Sequence, residues 1–284
     1  MKECFTPILF EKNVLLEDGS VLASPLTKEE ALFMGTITEE SFFAPVYITG
    51  ATTSTFDFAW HCANACEIPP WAGFLAASQT NGRGQLRREW ISPPGNLYVS
   101  FFLPPDIARL GDMASIAVGS CVLTALCELG IETRLKWPND LLLYRDGLEG
   151  KFGGLLLEER GGRFLAGLGL NCHSAPNEGL LRENKAVPAI ALPIFDDPLF
   201  FFWKKLAASM CDVYEHHIQN ASLALIRQWA ESCLAWKGMC VQSEDEKIVG
   251  VLTGIDMNAS LLVQTNTGLV AISSGSISPV LCNI

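Results

Sequence analysis

A chain of 284 residues carries 20 Lys and Arg against 31 Asp and Glu, a formal net charge of −11, with 49% apolar residues. That balance argues against a broad phosphate-binding surface for DNA or RNA, and the apolar share is too high for a disordered chain. No apolar run is long and clean enough to cross a bilayer, and Met1-Lys2-Glu3-Cys4-Phe5 lacks the charged-then-apolar order of a signal peptide, so a cytoplasmic protein is expected.

Residues 1–45 hold three lysines, no arginine and eight acidic residues, the reverse of what a DNA-reading helix needs. Within them Val14 to Leu22 reads as a β-hairpin with Asp18-Gly19 at its turn. Thr27 and Glu30 have capping-box spacing and open a short helix. A lid, a dimer contact and a sheet extension all fit this segment. Pro45 to Gly50 is a short strand running into Ala51-Thr52-Thr53-Ser54-Thr55 and a helix that ends near Cys66. Hydroxyls at such a junction cap the helix, or donate to a polar ligand at its N-terminus. Cys62 and Cys66 share a face of that helix. The ten cysteines contain no Cys-x-x-Cys pair, so free thiols are expected, and the four histidines suggest no metal-ligand cluster.

Gly73 to Ser78 is an apolar strand leading into Gln79-Thr80-Asn81-Gly82-Arg83-Gly84-Gln85-Leu86-Arg87-Arg88-Glu89-Trp90. Gly82 and Gly84 allow backbone N–H groups close to an anion. The arginines offer planar forks of donors to phosphate or carboxylate, and Trp90 offers a face for a flat ring. A cationic glycine loop in an acidic chain points to one small anion pocket. Asn96 to Leu103 is a buried strand, and Asp112 caps an apolar helix ending near Gly130. Strands at Thr133 to Trp137 and Leu141 to Tyr144 flank Pro138-Asn139-Asp140. Lys151 to Glu158 hairpins through Gly161-Gly162 into Phe164 to Asn171. Gly153 and Gly154 mark a close approach within a strand, and Gly167 and Gly169 face one way on its partner. A loop at 174–195 precedes helices from Asp197-Pro198 to about Gln219 and from about Leu223 to Trp236. Short alternating strands at 239–242, 248–256, 260–264 and 268–273 form a small antiparallel barrel or sheet.

In this order the motifs resemble those of the biotin–protein ligases, from roughly Pro45 to the C-terminus. They are Thr53-Ser54-Thr55, Gln79-x-x-Gly-Arg-Gly to Trp90, Lys136-Trp-Pro-Asn-Asp140, Lys151-x-Gly-Gly-x-Leu-x-Glu158 and Gly167-x-Gly-x-Asn171. The resemblance implies an α/β fold, a mixed sheet flanked by helices of the class II synthetase kind, with a small C-terminal SH3-like β-barrel. It implies an N-terminal extension at 1–45, a catalytic domain at 46–236 and the barrel at 237–284. The implied chemistry is activation of biotin by ATP and Mg2+ to biotinyl-5′-AMP, then transfer to a lysine of a biotin carboxyl carrier protein or carboxylase domain. By resemblance Lys151 and Arg83 are catalytic. Ser54, Thr55, Phe56, Gln79, Gly82, Arg83, Gly84, Gln85, Gly154, Leu156, Gly167 and Gly169 fall on the biotin side. Arg83, Arg88, Trp90, Lys136, Asn139, Asp140, Lys151 and Asn171 fall on the ATP side, where Asp140 is also the protein group nearest in kind to a metal ligand. Partners other than nucleic acid and membrane are expected, with monomer and homodimer both open. A ligase for lipoate or octanoate, and a non-catalytic binder of biotin or nucleotide, are the alternatives.

The chain departs from the family pattern at three places. Gln85 stands where the loop commonly has an arginine, and Arg87 where it has a glycine. Phe56 stands where asparagine is common, and no basic residue lies near Val280. The first departure predicts weaker retention of the adenylate unless Arg87 compensates. The N-terminal segment is too short and too acidic for a DNA-binding winged helix, so repressor activity is not expected.

Overall fold

Strand β4 (Val46–Thr52) is buried on both faces along most of its length, and the chain around it is built outward from there. A computed structural model describes residues 7–34, 43–85, 88–145, 148–176, 187–192, 198–244 and 247–281. Arg87, the start of the helix expected at Asp197 and most of the loop expected at 174–195 lie outside the described residues. In chain order, β1 (Ile8–Leu9), β2 (Val14–Leu15), β3 (Val21–Ala23) and α1 (Lys28–Met34) precede β4. Then come α2 (Thr55–Ala65), β5 (Gly73–Gln79), β6 (Leu97–Phe102), α3 (Met113–Glu128), β7 (Thr133–Lys136), β8 (Asp140–Arg145), β9 (Leu148–Arg160) and β10 (Arg163–Leu170). Helices α4 (Leu199–Tyr214) and α5 (Leu223–Cys233) lead to β11 (Cys240–Ser243), β12 (Val249–Ile255), β13 (Leu261–Thr265), β14 (Gly268–Ile272) and β15 (Ile277–Pro279).

The chain divides into two units. The first comprises Met1–Pro105, Phe152–Pro176 and Ile190–Ala208. Its strands run β2-β3-β4-β5-β6-β10-β9, with β1 alongside β4. Strands β4 and β5 are parallel, and β5, β6, β10 and β9 alternate in direction. Helix α2 crosses this mixed sheet and buries Phe56, Phe58, Trp60 and Cys62 against Phe74, Phe102 and Leu165. Edge-to-face ring pairs, Phe58 on Phe74 and Trp60 on Phe102, fix that layer. The expected hairpin at 14–22 exists and extends the sheet beyond β4. The Thr27–Glu30 capping box forms in both directions, Thr27 N–H to the Glu30 carboxylate at 2.8 Å and Glu30 N–H to Thr27 Oγ1 at 3.2 Å.

The second unit comprises Asp106–Lys151, Asn177–Ala189 and Ser209–Ile284. Helix α3, buried around most of its circumference, packs on α5 and β7. Asp112 holds the N-cap position, but its own backbone is helical (φ −62°, ψ −25°), so its side chain makes no cap bond, contrary to expectation. Helix α5 ends at Cys233, three residues before the expected Trp236, because Leu234 turns extended and pairs with Leu135. The C-terminal strands form an antiparallel sheet in the order β14-β13-β12-β11-β15, close to the expected bounds. Burial pushes the Cys62 and Cys172 thiols up to about 12, which leaves them inert. Cys240 is disulfide-bonded, a departure from the expected free thiols. Among the described residues no helix is long and apolar enough to cross a membrane.

Candidate active site

In the first unit the parallel strands β4 and β5 end side by side, with Thr52 opposite Gln79. The pairing carries on past the strand ends, from Thr80 N–H to Thr52 O at 2.9 Å and from Asn81 N–H to Thr53 O at 2.8 Å. Ser54 caps α2, its Oγ accepting from Phe56 N–H at 3.2 Å. Thr55 N–H donates to Gln79 Oε1 at 2.9 Å, and Thr55 Oγ1 accepts from Ser100 at 2.7 Å. Gln79 Nε2 donates to Ser92 Oγ at 2.8 Å, and that hydroxyl donates to Trp90 O at 2.9 Å. One chain of polar groups therefore runs from the helix N-terminus through Gln79 to the end of the glycine loop. Ser92 and Ser100 were not among the sequence candidates. Ser92 lies just beyond the motif, and Ser100 reads only as one residue of an apolar strand.

The loop closes back on itself. Trp90 N–H donates to Gly82 O at 2.9 Å, and a Cβ at Gly82 would stand 2.3 Å from the Trp90 carbonyl oxygen. Only glycine fits there. Gly84 N–H donates to Arg88 O at 2.8 Å, and Arg88 N–H to the carbonyl of half-buried Gln85 at 3.1 Å. The Arg88 residue itself is exposed. The Trp90 indole lies on Gly169, where a Cβ would be 2.7 Å from Nε1. Gly169 pairs with Gly154, and Gly167 with Leu156, across β10 and β9. The Phe56 ring occupies the space above Gly167, where a Cβ would stand 2.2 Å from it. Phe56 and Leu156 thus belong to the aromatic layer under α2.

Arg83 is paired with Asp57 in the first turn of α2, and lies 3.8 Å from Glu158 on β9. Thr53 Oγ1 donates to the other Asp57 oxygen at 3.2 Å. Asp57 escaped the sequence reading because a lone acidic residue in a first helical turn also complements the helix dipole. Asn171 is buried, its amide donating to Ile190 O at 3.1 Å and its backbone N–H to Phe152 O at 2.7 Å.

In the second unit the hairpin of β7 and β8 sets Lys136 opposite Asp140. Its turn holds a cis Trp137–Pro138 peptide, and Trp137 Nε1 donates to Ala259 O at 2.8 Å. Lys136 is only 8% exposed, with its ammonium 3.0 Å from Asp140 Oδ2. Lys151 approaches the other oxygen, Oδ1, at 2.6 Å. Burial by itself would raise the Asp140 carboxyl, but the two ammonium groups outweigh it and hold it below the ordinary value. Asn139 is half-buried in the same turn. Among the described residues no group of His, Cys, Asp and Glu is arranged to hold a metal ion.

The profile of the biotin/lipoate A/B protein ligase family matches residues 53–174, and that of the biotin protein ligase C-terminal domain matches residues 241–278. Over these two stretches the chain is similar to the biotin/lipoate A/B protein ligase family. It is 29% identical over 72% of its length to the biotin–[acetyl-CoA-carboxylase] ligase of Paracoccus denitrificans, of which it spans 89%. It is 34% identical over 56% of its length to biotin–protein ligase 2 of Arabidopsis thaliana, of which it spans 48%. The solved biotin protein ligase of Aquifex aeolicus, in complex with biotin and ATP, superposes with a TM-score of 0.62 at 25% identity. That superposition covers 82% of this chain and 97% of that one. The biotin acetyl coenzyme A carboxylase synthetase of Helicobacter pylori, at 17% identity and a TM-score of 0.56, shares the fold. The two polar arrays are chemically distinct. The Thr55–Gln79–Ser92 chain offers neutral donors and acceptors, while Lys136, Asp140 and Lys151 together carry more positive than negative charge.

Proposed function

We propose that this chain is a biotin–protein ligase that forms biotinyl-5′-AMP and passes biotin to a lysine of a carrier domain of a carboxylase. In the first step a biotin carboxylate oxygen attacks the α-phosphorus of ATP, and pyrophosphate leaves with the broken Pα–O bond. In the second the acceptor amine attacks the acyl carbon, AMP leaves with the broken C–O bond, and the amine gives up a proton. Two anions react in the first step, so the chain must supply fixed cations. The observation that carries the reading is Asp140 holding Lys151 and Lys136 on its two oxygens. A lysine aimed by a carboxylate is a preorganised charge, and Lys151 is the one assigned to the reacting carboxylate and α-phosphate. Lys136 and Asn139 serve the nucleotide side, with Asn171 and Arg88.

Ser54, Thr55 and Gln79 meet the ureido ring of biotin, whose carbonyl and two N–H groups need partners in an otherwise apolar slot. Gly154, Gly167 and Gly169 keep that slot narrow, with Leu156 and Phe56 as its apolar backing. Gly82 and Gly84 shape the loop that carries Arg83 and Gln85, and Trp90 supplies a face for the adenylate. Both oxygens of Asp140 are engaged by lysines, so magnesium enters with the ATP phosphates, whose charge it neutralises. The protein acts in the cytoplasm without nucleic acid or membrane, as a monomer or homodimer.

The test is biotin-dependent ATP–pyrophosphate exchange by purified protein, with lipoate and octanoate in parallel and Lys151→Ala as control. Exchange with biotin alone, lost in the variant, is the expected result. Exchange with another acid keeps the chemistry and changes the substrate. Absence of exchange with every acid, in folded protein supplied with magnesium, refutes the reading.

A further inference from the structure

The segment ahead of β4 is bonded to the strand end that presents Ser54 and Thr55. Ala23 pairs with Thr52. Leu22 O accepts from Thr52 Oγ1 at 2.8 Å and from Thr53 N–H at 3.1 Å. Ser24 N–H donates to Ala51 O at 2.8 Å, and Ser24 O accepts from Gly50 N–H at 2.7 Å and Thr49 Oγ1 at 2.6 Å. The Ser24 hydroxyl accepts from Ala51 N–H at 3.1 Å and reaches Ala51 O at 3.2 Å. Every residue from Thr49 to Thr53 is thus tied to Leu22, Ala23 or Ser24. The approach is close: a Cβ at Gly50 would lie 2.3 Å from Pro25 O and 2.9 Å from the Glu30 carboxylate.

The neighbouring strand end is tied as well. Glu30 is buried, and while Oε2 closes the capping box, Oε1 accepts from Ser78 Oγ at 3.4 Å. Ser78 immediately precedes Gln79. A short helix cap alone would not require a buried carboxylate to reach across to β5.

We propose that Leu22–Glu30 is a working part of the biotin side of the site, with Ser24, Thr49 and Glu30 as positioning residues for Ser54, Thr55 and Gln79. This rests on the biotin-side reading above. The segment touches both strand ends whose registration sets the Thr55–Gln79 hydrogen bond. Loosening either end moves the neutral polar groups relative to one another, whereas Lys136 and Lys151 take their pairing from Asp140. The signature is therefore selective: biotin binding weakens while ATP binding does not.

The experiment measures biotin and ATP affinity by calorimetry, with thermal melting alongside, for wild type, Ser24→Ala, Thr49→Val, Thr49→Ser and Gln79→Ala. Thr49→Val deletes the bond to Ser24 O and Thr49→Ser retains it. Loss of one such bond predicts weaker biotin binding by about fivefold to tenfold in Ser24→Ala and Thr49→Val. Binding near wild type is expected in Thr49→Ser, with ATP affinity within about twofold throughout. Lower melting temperatures with unchanged biotin affinity, or equal loss for biotin and ATP, would overturn the inference. Gln79→Ala separates the two failures. If it weakens biotin binding while Thr49→Val does not, the positioning role alone falls. If it too leaves biotin binding untouched, the biotin-side reading falls and takes this inference with it.

Discussion

The guanidinium of Arg83 is bound by the carboxylate of Asp57, the one on the glycine loop and the other in the first turn of α2. Both side chains keep about a third of their surface in solvent (34% and 29%), so water and salt screen the pair. An arginine neutralised from within the chain attracts an incoming anion less strongly. Asp57→Asn is expected to tighten binding of biotinyl-AMP by about twofold to fivefold at low salt, within the range of a screened ion pair. The gain shrinks at high salt. Titration at two ionic strengths checks this, and an effect that ignores salt would mean that the carboxylate acts by some route other than charge.

Asp140 offers a prediction with a pH sign. Its folded carboxyl lies below the ordinary value of 3.8 because of Lys151 and Lys136, despite the opposing effect of burial. A depressed carboxyl stabilises the fold above its unfolded value, and that contribution fades as pH falls through the folded value. Asp140→Asn strands the buried Lys136 ammonium and is expected to cost about 3 kcal/mol near neutrality. The gap between wild type and variant should be full above about pH 5 and narrow below 3.8. Denaturant melts across that range decide it; a gap that widens in acid contradicts the assignment.

Gly82 of the loop and Gly169 of β10 are both closely approached, the one by the Trp90 carbonyl and the other by the Trp90 ring. Gly82→Ala drives a methyl group into a backbone carbonyl, which cannot swing aside, and should cost about 1–3 kcal/mol of stability. Gly169→Ala meets the rim of a side chain, Trp90, which can. It should leave the melting temperature closer to wild type while shifting indole fluorescence and weakening adenylate binding. Equal losses of stability in both variants would count against this division.

Gln85 sits where the loop turns, half-buried, its carbonyl held by Arg88 N–H. Adding a cation there, Gln85→Arg, is expected to slow release of biotinyl-AMP by about threefold to tenfold, the worth of one charge-assisted contact at a partly exposed position. Dissociation of preformed intermediate measures it directly. Identical release from both proteins would remove any role for this departure from the family pattern.

Local signals were the ones a single sequence displayed well. Thr27 and Glu30 announce a capping box by spacing alone, and both bonds form. The antiparallel C-terminal strands follow from alternation and turns, and Gly167 and Gly169 face one way because strands have a period of two. Asp112 misled because a residue type that favours the N-cap does not dictate its own backbone angles. The partners of Arg83 and Gln79 were hidden for another reason. Asp57 is 26 residues from Arg83 and Ser92 is 13 from Gln79, and nothing in either neighbourhood marks the other. Lys136, Asp140 and Lys151 could be named as candidates, but the sharing of one carboxylate by two lysines depends on hairpin register.

The bonds from Leu22 and Ser24 to the end of β4 bear on how this protein would be engineered. Trimming the chain to start at Pro45, where the resemblance begins, a natural first step toward a compact labelling reagent, would strip β4 of the neighbour that bonds its end. Gly50 has been shaped to the contour of Pro25, so the vacated groove would be backbone facing water. A useful minimal version keeps everything from before Leu22.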